Sequence, residues 1–188
     1  MSIFALFTLA VGLSMDAFAV SVCKGLALPK VKLRHMVLVG LWFGGFQALM
    51  PAIGYFLGAQ FSSYISNFDH WIAFILLGII GGSMIKEALE KDDEEECPDA
   101  GLGVKTMFLM AVATSIDALA VGVTLAFLKV DVVSSVLFIG VVTFVISAVG
   151  VRIGNIFGTK YKSKAELLGG IILIILGIKI LLEHLMGG

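Results

Sequence analysis

Two aspartates lie inside long apolar stretches of the chain, within nearly the same nine-residue phrase. Residues 14–22 read SMDAFAVSV, and residues 115–123 read SIDALAVGV. A charged side chain at the centre of a bilayer costs about 2.5–3.5 kcal/mol on insertion scales. Because Asp16 and Asp117 occupy matching places of a duplicated phrase, they predict a buried site for a cation or a proton.

Two facing carboxylates in a low dielectric have three ways to avoid mutual repulsion. They can share a proton, pair with a basic side chain, or bind a cation. Arg152 and Lys179 are the candidate internal bases. Both lie towards the ends of apolar segments, from which a long side chain reaches the interface, so the sequence favours a cation or proton over a salt bridge.

The polar side chains around the aspartates are mainly oxygen donors, which suit hard ions such as magnesium, calcium or manganese. The candidate ligands are Asp16 and Asp117 with Ser14, Gln47, Thr114, Ser115, Thr124 and Ser147. On a continuous helix Thr114, Asp117 and Thr124 share one face. Ser14 and Ser115 point away from their aspartates and are expected to bond neighbouring helices or their own backbone. The thioethers of Met15 and Met50 offer a softer alternative, although packing is their common role.

Composition places these residues in a membrane protein. The chain of 188 residues is 59% hydrophobic and 14% charged, whereas soluble domains are about half apolar and a quarter charged. About 20 mainly apolar residues cross a bilayer, and strand-like alternation is absent, so the predicted fold is an all-α bundle of six transmembrane helices. The predicted spans are 3–23, 36–58, 70–90, 106–128, 134–158 and 166–186.

The loop charges predict the orientation of the bundle. Lysine and arginine concentrate in the first, third and fifth loops, as in Lys24, Lys30, Lys32 and Arg34 of the first loop. Positive loops face the cytoplasm, so both termini are expected outside. With three helices in each half, the halves insert with opposite orientation, an inverted repeat typical of secondary transporters.

The predicted organisation is a first repeat at 1–90, an acidic cytoplasmic linker at 91–105 and a second repeat at 106–188. The acidic run at 92–99 is interpreted as a solvated linker, with a divalent-cation entrance as the alternative. Glycines spaced by four favour close helix packing and possible homo-oligomers. Pro51 predicts either a simple kink or a broken helix that contributes a carbonyl ligand.

The motifs present and absent narrow the class of function. The chain contains no phosphate-binding loop, so transport must be secondary or passive. Export of a divalent cation against a negative-inside potential requires coupling, and exchange for protons at the same carboxylates supplies it. The chain contains neither a His-Glu-x-x-His nor a Gly-x-Ser-x-Gly motif, so an enzyme is not expected. Separated basic stretches and a net charge of −1 indicate no nucleic-acid partner.

Three segments resemble the MntP family of bacterial manganese efflux pumps, a branch of the lysine-exporter superfamily. They are GLSMDAFAVS at 12–21, the FQ-x-x-MP-x-x-G run at 46–54 and TSIDALAVG at 114–122. The resemblance covers the whole chain. It implies a multi-pass protein of the bacterial inner membrane that exports Mn(II) as its substrate and carries no cofactor, with Asp16 and Asp117 at the family's intramembrane acidic positions. The alternative is export of another divalent cation or of a small cationic solute, as in other branches of the superfamily.

Overall fold

The computed structural model describes residues 3–65, 69–89, 102–128 and 130–157, together with eight helical positions between 167 and 182. These residues form helices and, within the described part of the chain, no strand. The helices are α1 (Ile3–Leu13), α2 (Met15–Ala27), α3 (Leu33–Ile65), α4 (Asp69–Leu89), α5 (Val104–Ala113), α6 (Ile116–Phe127) and α7 (Val132–Phe157). The acidic run at 92–99 lies outside the described residues.

Two helices are long and apolar enough to cross a membrane by themselves, namely α3 over Leu33–Gln60 and α7. The pairs α1 with α2 and α5 with α6 also qualify when each pair is taken as one bent span. The described residues therefore contain two spans, or four with the bent pairs. This agrees with an all-α, multi-pass membrane protein, and most of the sixth predicted span lies outside the described residues.

The prediction of uninterrupted helices at 3–23 and 106–128 is wrong. The chain bends by 41° between α1 and α2 and by 44° between α5 and α6. The first break lies at Ser14 and the second at Thr114 and Ser115. Hydrophobic periodicity does not reveal such breaks, because the residues on both sides remain apolar and helical. By contrast, α3 runs through Pro51 as a single helix.

The first loop is shorter than predicted, because α2 continues to Ala27. Lys24 therefore belongs to the last turn of α2 rather than to a loop, and its side chain is completely buried. Lys30 and Lys32 are exposed residues of the loop, whereas Arg34, which was predicted in the loop, is exposed in the first turn of α3.

Helices α3 and α7 cross at two glycines in the centre of the bundle. A Cβ atom added to Gly44 would lie 2.7 Å from the carbonyl oxygen of Gly140, and one added to Gly140 would lie 2.9 Å from that of Gly44. Real Cβ atoms do not approach backbone this closely, so the two axes meet only because both positions lack a side chain. Small residues at helix crossings play this part in membrane bundles.

The broken helices pack on the long helices of the other half of the chain. Helix α2 lies against α7, and α6 lies against α3. A Cβ atom on Gly54 would overlap the carbonyl of Leu119, and one on Gly122 would overlap the backbone of Pro51. On the other side, a Cβ atom on Gly154 would overlap the backbone of Val22. Each half-helix that carries an aspartate is thereby held in backbone contact with a continuous helix.

The buried apolar residues of the described chain form two clusters. One contains Leu13 of α1 with Leu125 of α6, and the other contains Ala17 of α2 with Met107 of α5. Helix α2 contributes to both clusters, because Met15 belongs to the first and Ala17 to the second.

An exposed aspartate precedes the first turn of α7. The Asp131 carboxylate accepts hydrogen bonds from the hydroxyl and the backbone N–H of Ser134. The side-chain bond, followed by the backbone bond, lowers the pKa of Asp131 below its ordinary value of 3.8. Because the folded protein favours the ionised form, this contact stabilises the fold above that pH, and the contribution is lost as the pH falls through the lowered pKa.

We expect Gly122→Ala to destabilise the protein, because the new methyl group must displace the backbone of Pro51. Overpacking of this kind costs about 1–3 kcal/mol. Gly45→Ala is the matched control, since nothing lies within 4 Å of an added Cβ atom there and alanine favours a helix over glycine. Thermal unfolding in detergent checks the pair. Equal midpoints for the two variants would contradict the close contact between α6 and α3.

Candidate functional site

The two aspartates occupy equivalent positions in the first turn of a half-helix. Ser14 precedes α2 and Ser115 precedes α6, and Asp16 and Asp117 each follow two residues later. Both aspartates are half-buried. One Asp117 oxygen accepts the backbone N–H of Ala118 at 2.9 Å. The partial positive charge of a helix N-terminus stabilises a carboxylate at this position, so the breaks supply a physical reason for acidic residues inside an apolar bundle.

The first break is tied to both long helices. The Ser14 hydroxyl lies 2.6 Å from the Ala10 carbonyl, to which it donates, and 2.8 Å from Oγ1 of Thr143 on α7. The side-chain amide of Gln47 on α3 donates to the carbonyl of Leu13 at 2.8 Å. The polar groups released by the bend are thus taken up by side chains from two other helices.

The second break has fewer partners. The Thr114 hydroxyl donates back to the Met110 carbonyl at 2.9 Å, within its own helix. Ser115 is completely buried, yet its hydroxyl oxygen has no hydrogen-bond partner among the described residues. The two breaks have similar backbones and unequal hydrogen bonding.

Other buried oxygens within the described part of the chain share this condition. Oε1 of Gln47 and Oγ of Ser147 are among them, and both residues are completely buried. A buried polar atom without a partner costs about 1–3 kcal/mol and calls for an explanation. Such oxygens on α3, on α7 and at the second break are therefore candidate ligands for a bound group.

The predicted ligands therefore divide into two groups. Ser14, Thr114 and Thr124 commit their hydroxyls to carbonyls one turn earlier, the last to Ala120 at 3.2 Å. Gln47, Ser115 and Ser147 keep an uncommitted oxygen. Thr114 lies in the break, so it does not share one continuous helix with Asp117 and Thr124. The expectation that Ser14 bonds its own backbone and a neighbouring helix agrees with its contacts.

The arrangement of the described carboxylates, imidazoles and thiols bears on how a metal ion can be held. Among the residues that the structure describes, no group of three or more His, Cys, Asp or Glu side chains is close enough to hold a metal ion. The candidate internal bases Arg152 and Lys179 are both exposed. Among the described residues, the candidate ligands at the breaks that accompany the aspartates are therefore neutral oxygens.

Sequence reasoning missed one contact at the site and one at the other end of α2. Thr143 was not among the predicted ligands, and its contact with Ser14 depends on how α7 packs against the first break. Lys24 was assigned to a loop, whereas it is a buried side chain in the last turn of α2. The next residue, Gly25, packs against the backbone of Val151. A glycine at this place is the sequence feature that could have indicated a closely packed turn. Asn155 of α7 supports the same end of α2 by donating to the carbonyl of Leu28 at 2.7 Å.

Comparisons with known proteins agree in one description. A family model described as "Putative manganese efflux pump" matches residues 30–181. A protein of the same name from Mannheimia succiniciproducens is 55% identical over 188 residues, covering 100% of both chains. One from Desulfitobacterium hafniense is 57% identical over 180 residues, covering 96% of this chain and 94% of its own. No solved structure matches the chain.

We expect Ser14→Ala and Ser115→Ala to have different effects on stability. Ser14→Ala removes two buried hydrogen bonds and should lower the free energy of unfolding by about 1–2 kcal/mol. Ser115→Ala removes a buried hydroxyl without a described partner, so stability should stay the same or rise. Thermal unfolding of both variants in the same detergent makes the comparison. If Ser115→Ala is destabilised as much as Ser14→Ala, the two breaks are equally bonded and the asymmetry is wrong.

Proposed function

The chain belongs to the MntP family of manganese efflux pumps, and from this membership we propose that it exports Mn(II) from the cytoplasm in exchange for protons. The observation that carries the proposal is the pair of helix breaks, each followed by an aspartate in the first turn of a half-helix. Secondary transporters bind ions at broken helices near the bilayer midplane, where half-helix ends and unwound backbone line the site.

The proposed cargo site combines charge with neutral oxygen. Asp16 and Asp117 supply two negative charges, which match the charge of one divalent cation. Manganese accepts carboxylate and carbonyl-type oxygens, and the uncommitted oxygens of Gln47, Ser115 and Ser147 are the proposed neutral ligands. We assign Ser14, Thr114 and Thr124 to hydrogen bonding within the bundle in this conformation.

The proposed architecture is two inverted repeats, in which the broken helices of each repeat pack against the long helix of the other. Its support is the reciprocity of the contacts, since Gly44 and Gly140 each face the other's carbonyl. The corresponding contacts on the two sides are Gly54 with Leu119 and Gly150 with Phe18. In this pairing, Gly54 corresponds to Gly150. Alignment of the two halves by sequence instead pairs Gly54 with Gly154, about one helical turn further along α7.

Coupling to protons follows from the direction of transport. A divalent cation that leaves a cell with a negative interior climbs about 4.6 kcal/mol per 100 mV, twice the value for a single charge. Protons returning to the carboxylates supply this energy and discharge the site for the next cycle. The proposed location is the bacterial inner membrane, surrounded by lipid, with both termini outside and the positive loops in the cytoplasm.

We expect Asp16→Asn and Asp117→Asn each to abolish manganese export, because the remaining carboxylate cannot neutralise a divalent ion. The test expresses each variant in a bacterial strain that lacks its own manganese exporter and measures growth against manganese concentration. Asp131→Asn, which alters an exposed carboxylate at the start of α7, is the control and should rescue as the wild type does. Full rescue by a normally expressed Asp16→Asn variant would remove Asp16 from the site. Selective protection against a different cation would favour the alternative substrate.

We also expect an imposed pH gradient to drive manganese movement in proteoliposomes. Acidifying the compartment that receives manganese should speed export, since protons must move in the opposite direction. A proton ionophore that collapses the gradient should remove the acceleration, and protein-free liposomes give the background. Export rates that do not respond to the gradient would contradict proton exchange while leaving manganese as the substrate.

A further inference from the structure

The two breaks share a backbone plan but not a hydrogen-bonding state. The N–H of Phe18 donates to the Ser14 carbonyl at 2.9 Å, and the N–H of Leu119 donates to the Ser115 carbonyl at 3.2 Å. Each serine therefore begins its half-helix in the same way. Their hydroxyls differ, because Ser14 is bonded to Thr143 and the Ser115 hydroxyl has no partner in the described residues.

The packing of the first break defines a register. On α2 and α7, Phe18 lies against Gly150. Ser14 lies four residues before Phe18, and Thr143 lies seven residues before Gly150. These two side chains make the 2.8 Å contact between the hydroxyls.

The second break repeats this register on α6 and α3. Leu119 lies against Gly54. Ser115 lies four residues before Leu119, and Gln47 lies seven residues before Gly54. Gln47 therefore occupies the position at the second break that Thr143 occupies at the first. Oε1 of Gln47 and Oγ of Ser115 are both buried without a partner among the described residues.

We propose that Ser14–Thr143 and Ser115–Gln47 are the two halves of an alternating latch, of which the present conformation has the first closed and the second open. In the oppositely facing conformation, the Ser115 hydroxyl donates to Oε1 of Gln47, and Ser14 separates from Thr143. This inference rests on the proposed transport function. It makes Thr143 a positioning residue, because it acts on the cargo site through Ser14.

The latch explains how one duplicated site can bind from one side at a time. A latched serine is held against a neighbouring helix, so its oxygen is committed. At the open break, the oxygens of Ser115 and Gln47 have no partner among the described residues, so a cation bound by Asp117 can use them. Closing that latch satisfies the two oxygens with each other and withdraws them from the cargo.

The surfaces around the latch permit the required movement. Along the contact of α6 with α3, Gly54, Gly58 and Gly122 bring backbone against backbone. A surface without interlocked side chains allows the small sliding of packed helices that accompanies many conformational changes. The hydroxyl and amide groups can then exchange partners without repacking of large side chains.

Hydrogen–deuterium exchange of the full chain in lipid nanodiscs tests the latch without any metal. The readout is the exchange rate of backbone amides around each break, at residues 10–18 and 111–119. Thr143→Val keeps the shape of the side chain and removes its hydroxyl. We expect it to raise exchange at the first break by about threefold to tenfold, the scale of one hydrogen bond, and to lower exchange at the second.

Two matched variants complete the test. Thr143→Ser keeps the hydroxyl and should exchange as the wild type does. Ser115→Ala removes the opposite latch and should shift exchange in the reverse sense, with greater protection at the first break than in the wild type. A Thr143→Val variant that leaves both breaks unchanged, or raises exchange at both together, would overturn the latch, since the latter is general destabilisation.

Manganese efflux from the same preparations separates this inference from the function on which it rests. Opposite exchange shifts in Thr143→Val and Ser115→Ala, with no manganese transport by the wild type, would uphold the latch and reject the substrate. Normal manganese transport with no opposite shifts would uphold the exporter and reject the latch.

Discussion

The structure depends on satisfying backbone groups that a helix break exposes inside a membrane. In lipid no water is available to bond a released carbonyl, so irregular backbone persists only where protein replaces the missing partner. The carbonyl of Leu13 accepts a hydrogen bond from the side-chain amide of Gln47, and the hydroxyl of Ser14 is hydrogen-bonded to the hydroxyl of Thr143. Without these side chains the chain would favour a straight helix, and Asp16 would lie in a helix interior rather than at a stabilising N-terminus.

The glycine contacts are what bring those side chains within reach. Gln47 and Thr143 lie on α3 and α7, whose crossing at Gly44 and Gly140 sets backbone against backbone. A larger residue at the crossing would separate the two helices and the polar groups that they carry. The abundance of glycine is thus more than a general packing preference, because it fixes how closely the long helices approach the breaks.

Sequence reasoning predicted the class of fold better than the local geometry of the breaks. Hydropathy identified an all-helical membrane protein, and the duplicated phrases singled out Asp16 and Asp117, whose role as ligands stays a prediction. The breaks were missed because Ser14 and Ser115 do not interrupt the apolar pattern, and small polar residues are tolerated in continuous membrane helices. Lys24 was missed because loop charge was counted by residue type, whereas its burial depends on the packing of the last turn of α2 against α7.

In the proposed exporter, the position of each aspartate at a half-helix start also bears on how a cation is released. In a helix interior a carboxylate would depend on its cargo for neutralisation, and losing the ion would leave an uncompensated charge at high cost. At an N-terminus, the backbone N–H groups and the helix dipole stabilise the ionised form after the ion departs. The same carboxylate can then accept a proton or a new cation. A pair of broken helices therefore lowers the cost of the empty site, and exchange of one ion for another requires that the empty state be accessible.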